Sequence, residues 1–175
     1  MQELSNDKLI ALLDLTSKFV GNKDVRQYLN HVNFQVTEDG KQYIQAANGH
    51  ILCRVILSEY VKLELPYLID ITSVKNSVKI KNASVLNASD ISQTYPDTNR
   101  LVPKDYKNSE KMPAFNAKYL ATAFSALDKC GRSLLGEKFI GVKCEQFHDM
   151  QANVFSAEFC DKKIKVEIVI MPMRL

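Results

Sequence analysis

Several features that mark common classes of enzyme are missing from this 175-residue sequence. It has no tryptophan, only six glycines and no glycine-rich loop of the kind that holds phosphates. Its four cysteines form no CxxC pair, which excludes the spacing of a zinc ribbon. Its three histidines have neither metal-ligand nor catalytic-triad spacing; they are His31, His50 and His148. We therefore expect a protein that is not an enzyme and that uses no cofactor or metal.

Long hydrophobic runs are missing as well. No apolar segment approaches the roughly 20 residues that a membrane-spanning helix needs. The first residues read MQELSNDKL, without the basic and then apolar pattern of a signal peptide. We therefore expect a cytoplasmic protein that makes no membrane contact, with its cysteines reduced and used as small core residues.

The balance of residue types is that of a soluble globular domain, with 46% hydrophobic and 25% charged residues. A chain of this length buries a core without disulfides or metals, so we predict one domain over residues 1–175. The net charge of +3 and the pI near 8.6 are mildly basic. Such a charge permits an anionic partner without requiring one.

Two segments have the period of an amphipathic helix. The first runs from Ser5 to Val20, with a capping serine at its start and Gly21 suited to end it. The second runs from Asn116 to Lys129, again with a capping side chain at its first residue, and Gly131 is suited to close it. Both have apolar residues on one face and polar residues on the other.

The remaining segments have the period and the turns of β-strands. Asp39-Gly40 and Asn48-Gly49 are hairpin signals that link three strands into a meander. The predicted strands are Val32–Glu38, Lys41–Ala47, Ile51–Leu57, Val61–Leu65, Leu68–Thr72, Ser77–Lys81, Ser84–Leu86, Phe139–Gln146, Ala152–Phe159 and Ile164–Met171. We predict an α+β fold with two helices packed on antiparallel β-sheets. The similar order of elements over residues 1–90 and 91–175 suggests two related halves.

Four segments, in this order, resemble the bacterial sliding clamp, the beta subunit of DNA polymerase III. The second is similar to the family's T-D-G-H-R-L turn and the third to its F-P-D-Y-x-R-V-x-P linker, and the fourth resembles the usual family ending. A weaker fifth similarity covers Phe115–Leu120. The four segments are Asp24–Asn30, Ala46–Leu52, Tyr95–Lys104 and Val169–Leu175. The family subunit has three domains and about twice this length, so the resemblance implies one composite clamp-like domain.

In that family the four segments meet in a groove that binds short peptides of polymerases and of the clamp loader. An apolar groove with flexible methionines suits this task, because it repacks around different ligands. Ala47 replaces a threonine of the family and Ile51 replaces an arginine, which makes the wall more apolar. Considered without the resemblance, the methionines are core or edge residues and His50 is a turn residue. The groove residues that the resemblance implies are Leu29, Gly49, His50, Leu52, Pro96, Arg100, Leu101, Val169, Met171, Pro172, Met173, Arg174 and Leu175.

The resemblance also implies contact with double-stranded DNA, because the family's helices line a ring and touch phosphates without reading sequence. The second helix supports this, because Lys118 and Lys129 share its polar face and Arg132 lies just beyond; the first helix does not, because Lys18 shares its outer face with acidic residues. The candidate DNA contacts are Lys18, Lys23, Arg26, Lys118, Lys129 and Arg132. A ring of six domains needs about six copies of a one-domain chain, joined head to tail. The sequence therefore favours a clamp-like processivity factor that binds replication-protein peptides in this groove, and it leaves open whether a homo-oligomer of the chain encircles DNA. A peptide-binding adaptor or decoy without a ring, and a structural remnant with neither activity, remain alternatives.

Overall fold

The computed structural model describes residues 4–38, 40–57, 63–103, 109–136, 140–146, 148–149, 151–160 and 163–173. These residues form a single antiparallel sheet with helices on one face. The helices are α1 (Asn6–Ser17), α2 (Ile71–Ile80) and α3 (Ala117–Leu135). The strands are β1 (His31–Val36), β2 (Gln42–Ala47), β3 (Ile51–Leu57), β4 (Leu68–Asp70), β5 (Lys143–Gln146), β6 (Asn153–Phe159) and β7 (Ile164–Ile170). The predicted α+β class is confirmed.

The sheet has the order β4-β1-β2-β3-β7-β6-β5, and neighbouring strands are antiparallel throughout. Its centre is the pair β3 and β7, which stay in register from Ile51 opposite Ile170 to Leu57 opposite Ile164. The first half of the sequence thus supplies one meander and the second half another. One continuous sheet, rather than several, results from this central pairing.

The three helices pack on the same face of the sheet, with α1 between α2 and α3. Side chains alternate along a strand, so every second residue of β3 and β7 points into this layer. The largest side chains of the core are almost fully buried; they include Phe19, Phe159, Leu12, Leu13, Leu127, Ile164 and Ile168. Burial of such residues supplies most of the free energy that stabilises a fold.

The predicted caps of α1 and α3 are confirmed, but the predicted helix ends are not. The Ser5 side chain accepts a hydrogen bond from the Lys8 amide, and the Asn116 side chain accepts one from the Lys118 amide. Helix α1 ends at Ser17, before Gly21. Helix α3 continues through Gly131. A Cβ at this position would clash with Cδ1 of Ile140, so the glycine allows close packing and does not mark the helix end. The left-handed residue that ends α3 is Gly136.

The predicted count of two helices was wrong, because α2 occupies a region assigned to strands. Of Leu68–Thr72 only the residues up to Asp70 are strand, and Ser77–Lys81 belongs to α2 and its cap. The Asp70 side chain caps the helix by accepting from the Ser73 amide, and this local bond outweighs the β-propensity of the isoleucines and valines.

Other strand predictions also need correction. Residues 63–65 are not a strand, while 61 and 62 lie outside the described residues. Ala83–Val85 is a 3-10 turn instead of the strand predicted at Ser84–Leu86. The strand predicted from Phe139 begins at Lys143; position 139 lies outside the described residues, as does Asp39 of the first hairpin.

Candidate functional site: a groove opposite the helices

A second, smaller apolar cluster lies on the sheet face that points away from the helices. Leu52 of β3 pairs with Val169 of β7, and their alternation places both side chains on this face. Tyr28, in the 3-10 helix Gln27–Asn30, and Val102, in the connection ahead of α3, pack on the cluster. Its buried members are Leu29, Ala47, Leu52, Ala152, Val154 and Val169. Four of them, Leu29, Ala47, Leu52 and Val169, form the floor of a groove that is open to solvent.

The groove has a volume of about 430 Å³. One wall is the linker at residues 95–101, and another is the hairpin turn between β2 and β3. Met171, which follows β7 and is 47% exposed, borders the opening. Nine of the residues that the sequence predicted for the groove line this cavity: Leu29, Gly49, His50, Leu52, Pro96, Arg100, Leu101, Val169 and Met171.

The other four predicted groove residues follow Met171 in the sequence. Pro172 and Met173 are not part of the cavity lining; the Met173 amide donates a 2.7 Å hydrogen bond to the Ala114 carbonyl, which ties this segment to the chain ahead of α3. Arg174 and Leu175 lie outside the described residues.

Five further lining residues had not been assigned to the groove from the sequence. Arg26 had been predicted as a DNA contact, and the other four had no assigned role. Most of them could have been found from the sequence, because they are neighbours of predicted groove residues in the 24–30 and 95–104 segments. They are Arg26, Tyr28, Tyr95, Asp97 and Thr98.

Hydrogen bonds between side chains hold the linker wall on the sheet. The Thr98 hydroxyl donates to Oε1 of Gln45 at 2.7 Å, and Nε2 of Gln45 donates to Oδ1 of Asn33 at 2.7 Å. All three residues are buried. Nearby, Nη1 of Arg54 donates to Oδ1 of Asn99 at 2.8 Å. The wall is therefore fixed by directional contacts and not by apolar packing alone.

A buried ion pair lies beside this wall. Nε and Nη2 of Arg54 donate to Oε2 of Glu167 at 3.1 and 2.5 Å, joining β3 to β7. Lys165 approaches the other carboxylate oxygen of Glu167 at 3.0 Å, and the Arg54 guanidinium lies 5.2 Å from the centre of the Tyr43 ring. Because every charge here has a partner, the cluster is a structural junction and not a reactive centre.

The rim of the groove is polar. The Arg26 side chain donates two hydrogen bonds to Asp24, at 3.0 and 2.9 Å, and lowers the pKa of that carboxyl to about 2. Nη2 of Arg26 would lie 2.7 Å from a Cβ at Gly49, whose φ is +89°, so this turn requires glycine. Arg100 is highly exposed, with Nε 3.7 Å from Oδ2 of Asp97. An apolar floor with a charged rim suits a ligand that inserts apolar side chains and keeps its ends in water.

The residues predicted to contact DNA separate into two groups. The first group is Lys18, Lys118, Lys129 and Arg132. Lys18 and Lys129 both bind Asp14, each with a distance of 2.7 Å from Nζ to a carboxylate oxygen. Lys118 is exposed on α3, and Arg132 pairs with Asp128 on the same helix. These four residues share the helix layer. The second group, Lys23 and Arg26, precedes β1, and Arg26 also lines the groove.

Within the part of the chain that the structure describes, no cluster of three histidine, cysteine or acidic residues is positioned to hold a metal ion. The same residues contain no helix with the length and hydropathy needed to cross a membrane.

Solved structures that superimpose on this chain include bacterial sliding clamps. The clamp from Pseudomonas aeruginosa superimposes with a TM-score of 0.68 and 14% identity over 98% of this chain and 65% of its own. The Bacillus subtilis clamp superimposes with a TM-score of 0.65 and 15% identity over 97% of this chain and 63% of its own. The Bartonella birtlesii DnaN clamp bound to griselimycin has a TM-score of 0.71 and 16% identity over 98% of this chain and 65% of its own. No protein-family model and no curated protein sequence matches the chain. The chain therefore has the fold of the bacterial DNA polymerase III beta sliding clamp, over about 65% of the length of the solved clamps.

Proposed function

We propose that the chain is a non-enzymatic, cytoplasmic binding protein whose groove takes short peptide segments of the polymerase and clamp-loader type. One observation carries this proposal. Residues from four separate sequence segments meet around one apolar floor that stays open to solvent. An open apolar surface of this kind, with a polar rim, is typical of an interaction site.

The exposed side chains support the same function. Met171 and Leu101 border the groove and are each 47% exposed. A methionine has three flexible bonds and a polarizable sulfur, so it adapts to apolar side chains of different shapes. Arg26 and Arg100 at the rim offer donors to the ends of a bound peptide.

The test is a titration of a fluorescent synthetic peptide, taken from the clamp-binding segment of a bacterial clamp-loader subunit, with griselimycin as a competitor. Met171→Glu places a charge at the opening, and we expect it to weaken peptide binding at least about tenfold. Met112→Glu is the matched control, because Met112 is 80% exposed and does not line the groove. Failure of the unmodified protein to bind the peptide would contradict the proposed function.

A second candidate function is retention of double-stranded DNA, and the charge of the helix layer favours it. Helices α1, α2 and α3 contain six basic residues and three acidic ones, an excess of three positive charges. The α2 lysines Lys75 and Lys79 are exposed and add to the residues predicted from the sequence. A basic helix layer attracts phosphates without reading bases.

We expect Lys118→Glu combined with Lys129→Glu to weaken DNA binding and to reduce its salt dependence, as measured by fluorescence anisotropy with a DNA duplex at low salt. Lys111→Glu combined with Lys143→Glu makes the same charge change outside the helices and serves as the control. Equal losses in both double variants would show a general charge effect and not a DNA-facing helix layer.

Light scattering on a sizing column separates a ring from an adaptor. Six chains of 19.8 kDa make a species of about 119 kDa, and its detection would support an encircling clamp. A monomer or dimer at all concentrations would support the adaptor or decoy, with the groove as its working part.

A further inference from the structure

The two edges of the sheet differ, because the chain itself covers only one of them. Strand β4 is covered by residues 87–89. The Ser89 amide donates to the Leu68 carbonyl at 2.8 Å, and the Asp70 amide donates to the Asn87 carbonyl at 3.2 Å. Strand β5 is the last strand at the other edge, and no other strand of the described residues pairs with its outer side. The β5 edge is therefore the one that offers a place for a further strand.

An apolar strip lies beside the β5 edge, on the helix face of the sheet. Cys144 of β5 stands opposite Phe155 of β6, so both side chains point to this face. The ring of Phe124, on α3, packs edge-on against Phe155 with centroids 5.5 Å apart, and 40% of Phe124 is exposed. Cys144 and Val142 are exposed as well. These groups extend the apolar layer under the helices to the edge of the sheet, where it meets solvent.

The opposite face of β5 carries two charges of opposite sign. Lys143 is exposed and stands opposite Ser156 of β6. Glu145 accepts a 2.7 Å hydrogen bond from the Ser156 hydroxyl, so it lies on the same face as Lys143. A bulge between Cys144 and Gln146 interrupts the ladder with β6. A short strand, a lysine and a bulge protect a sheet edge from indiscriminate pairing, so only a strand of matching charge fits here.

The strand that matches is β5 itself, in one register. When two copies pair antiparallel about a twofold axis, residues equally far from the axis stand opposite each other. An axis at Lys143 or at Glu145 sets like charges against each other, which is unfavourable. An axis between two residues sets each charge against an uncharged residue. An axis at Cys144 sets Lys143 of each copy opposite Glu145 of the other, and it is the register that pairs both charges.

We propose that the chain forms a symmetric dimer through β5, in which Cys144 of one copy lies opposite Cys144 of the other. The sheet then continues across the axis, and the apolar strip is covered by its counterpart. The covered edge carries only the uncharged residues Asn87-Ala88-Ser89, so it does not match β5 in the head-to-tail contact that a ring requires. Association therefore stops at two copies. The proposal is independent of peptide binding, because β5 does not line the groove.

The first test is light scattering over protein concentrations from the low micromolar to the millimolar range, since a short ladder gives a weak, concentration-dependent dimer. We expect the mass to rise from 19.8 kDa to about 40 kDa. Cys144→Ser should keep this behaviour. Cys144→Glu sets two carboxylates opposite each other across the axis, so we expect the dissociation constant of the dimer to rise at least about tenfold.

Thr72→Glu is the matched control, because it adds the same charge at an exposed position of α2, next to the covered edge. It should leave the dimer unchanged. Three results would overturn the proposal: a single chain at all concentrations, a closed species of about six chains, or equal dimerisation of Cys144→Glu and the unmodified protein. The peptide titration at low protein concentration should be the same for Cys144→Glu and the unmodified protein, so a failure of the dimer is distinct from a failure of the groove.

The second test examines the register by oxidation. Opposite Cα atoms of neighbouring antiparallel strands are about 4.5 or about 5.5 Å apart, within the range of roughly 4.4 to 6.8 Å that a disulfide spans. Diamide takes up the two electrons and two protons of a thiol pair, and we expect it to join two chains through Cys144, as seen on a non-reducing gel. Cys144→Ser should remain a single chain, whereas Cys160→Ser should still be joined. An equal yield of joined chains in Cys144→Ser would overturn the proposed register.

Discussion

The two faces of the central sheet are built on different principles. The face under the helices is continuously apolar, and its largest side chains are fully buried. The opposite face has a small apolar cluster, a band of hydrogen-bonded polar side chains and the groove. Strand β7 contributes to both faces with successive residues. Val166 and Ile168 enter the core under the helices, whereas Glu167 and Val169 lie on the groove side.

One strand can therefore contribute both to the stability of the fold and to the binding of a ligand. Apolar packing is non-directional and supplies most of the folding free energy. Hydrogen bonds and ion pairs add less net stability, but they demand one geometry. The helix face therefore makes the sheet stable, and the polar band places the linker wall where a ligand meets it.

The largest expected effect comes from breaking the polar band at its ion pair. Arg54→Met leaves the buried Glu167 with only Lys165, and we expect the free energy of unfolding to fall by about 3 kcal/mol. Chemical denaturation measures this loss. Adding Glu167→Met should recover most of it, because the buried carboxylate that lost its main partner is then gone as well. A single variant that retains full stability would show that Arg54 contributes little to the junction.

A matched pair of substitutions in β7 compares the two faces directly. Val166→Ala opens a cavity in the helix core, and we expect a loss of about 2 kcal/mol in stability with unchanged peptide affinity. Val169→Ala removes part of the groove floor, so it should cost about 1 kcal/mol and weaken peptide binding several-fold. Denaturation and peptide titration of both variants provide the measurements. If both variants bind peptide equally well, the groove floor is not a binding surface.

The smallest expected effect concerns the helix layer at acid pH. Burial acts to raise the pKa of Asp14, but hydrogen bonds from Lys129 and Lys18 outweigh it and lower the pKa below its ordinary value of 3.8. A lowered folded-state pKa means that this contribution is present above about pH 4 and is lost as the pH falls through the folded value.

We therefore expect Asp14→Asn to lose up to about 1 kcal/mol at pH 7 and little at pH 3, as measured by urea denaturation across pH. Asp7→Asn makes the same change of charge on the same helix and is the control. A difference between Asp14→Asn and the unmodified protein that does not shrink toward pH 3 would contradict the proposed tie between α1 and α3.

Much of the fold was predictable because its signals are local. The caps at Ser5 and Asn116, and the Asn48-Gly49 turn, each act within a few residues of themselves. Helix α2 was missed because its apolar residues are few and β-branched, while its cap at Asp70 directly follows a real strand. The end of α3 was missed because Gly131 reads as a terminator until the packing of Ile140 against it is known.

The candidate site was predictable to the extent that its residues stand in family-like motifs. Leu29, His50 and Met171 were found in this way and line the groove. Tyr95 stood inside a quoted motif, but only the fold packs its ring against Tyr28 and ties its amide to the Tyr67 hydroxyl. From the sequence, the positive charge of Arg26 suggests contact with DNA. Only the tertiary structure places Arg26 beside Gly49, at the groove.

The sequence by itself determined the class of the fold, the alternation that gives each strand two faces, and the segments that would form the groove. Only the tertiary structure decided that β3 pairs with β7, which brings Arg54 to Glu167 across 113 positions of sequence. It also decided that Arg26, from the segment before β1, lies beside Gly49 at the rim of the groove. The physical reason is one of range: caps, turns and alternation depend on neighbours in the chain, whereas strand pairing and burial depend on contacts between distant segments.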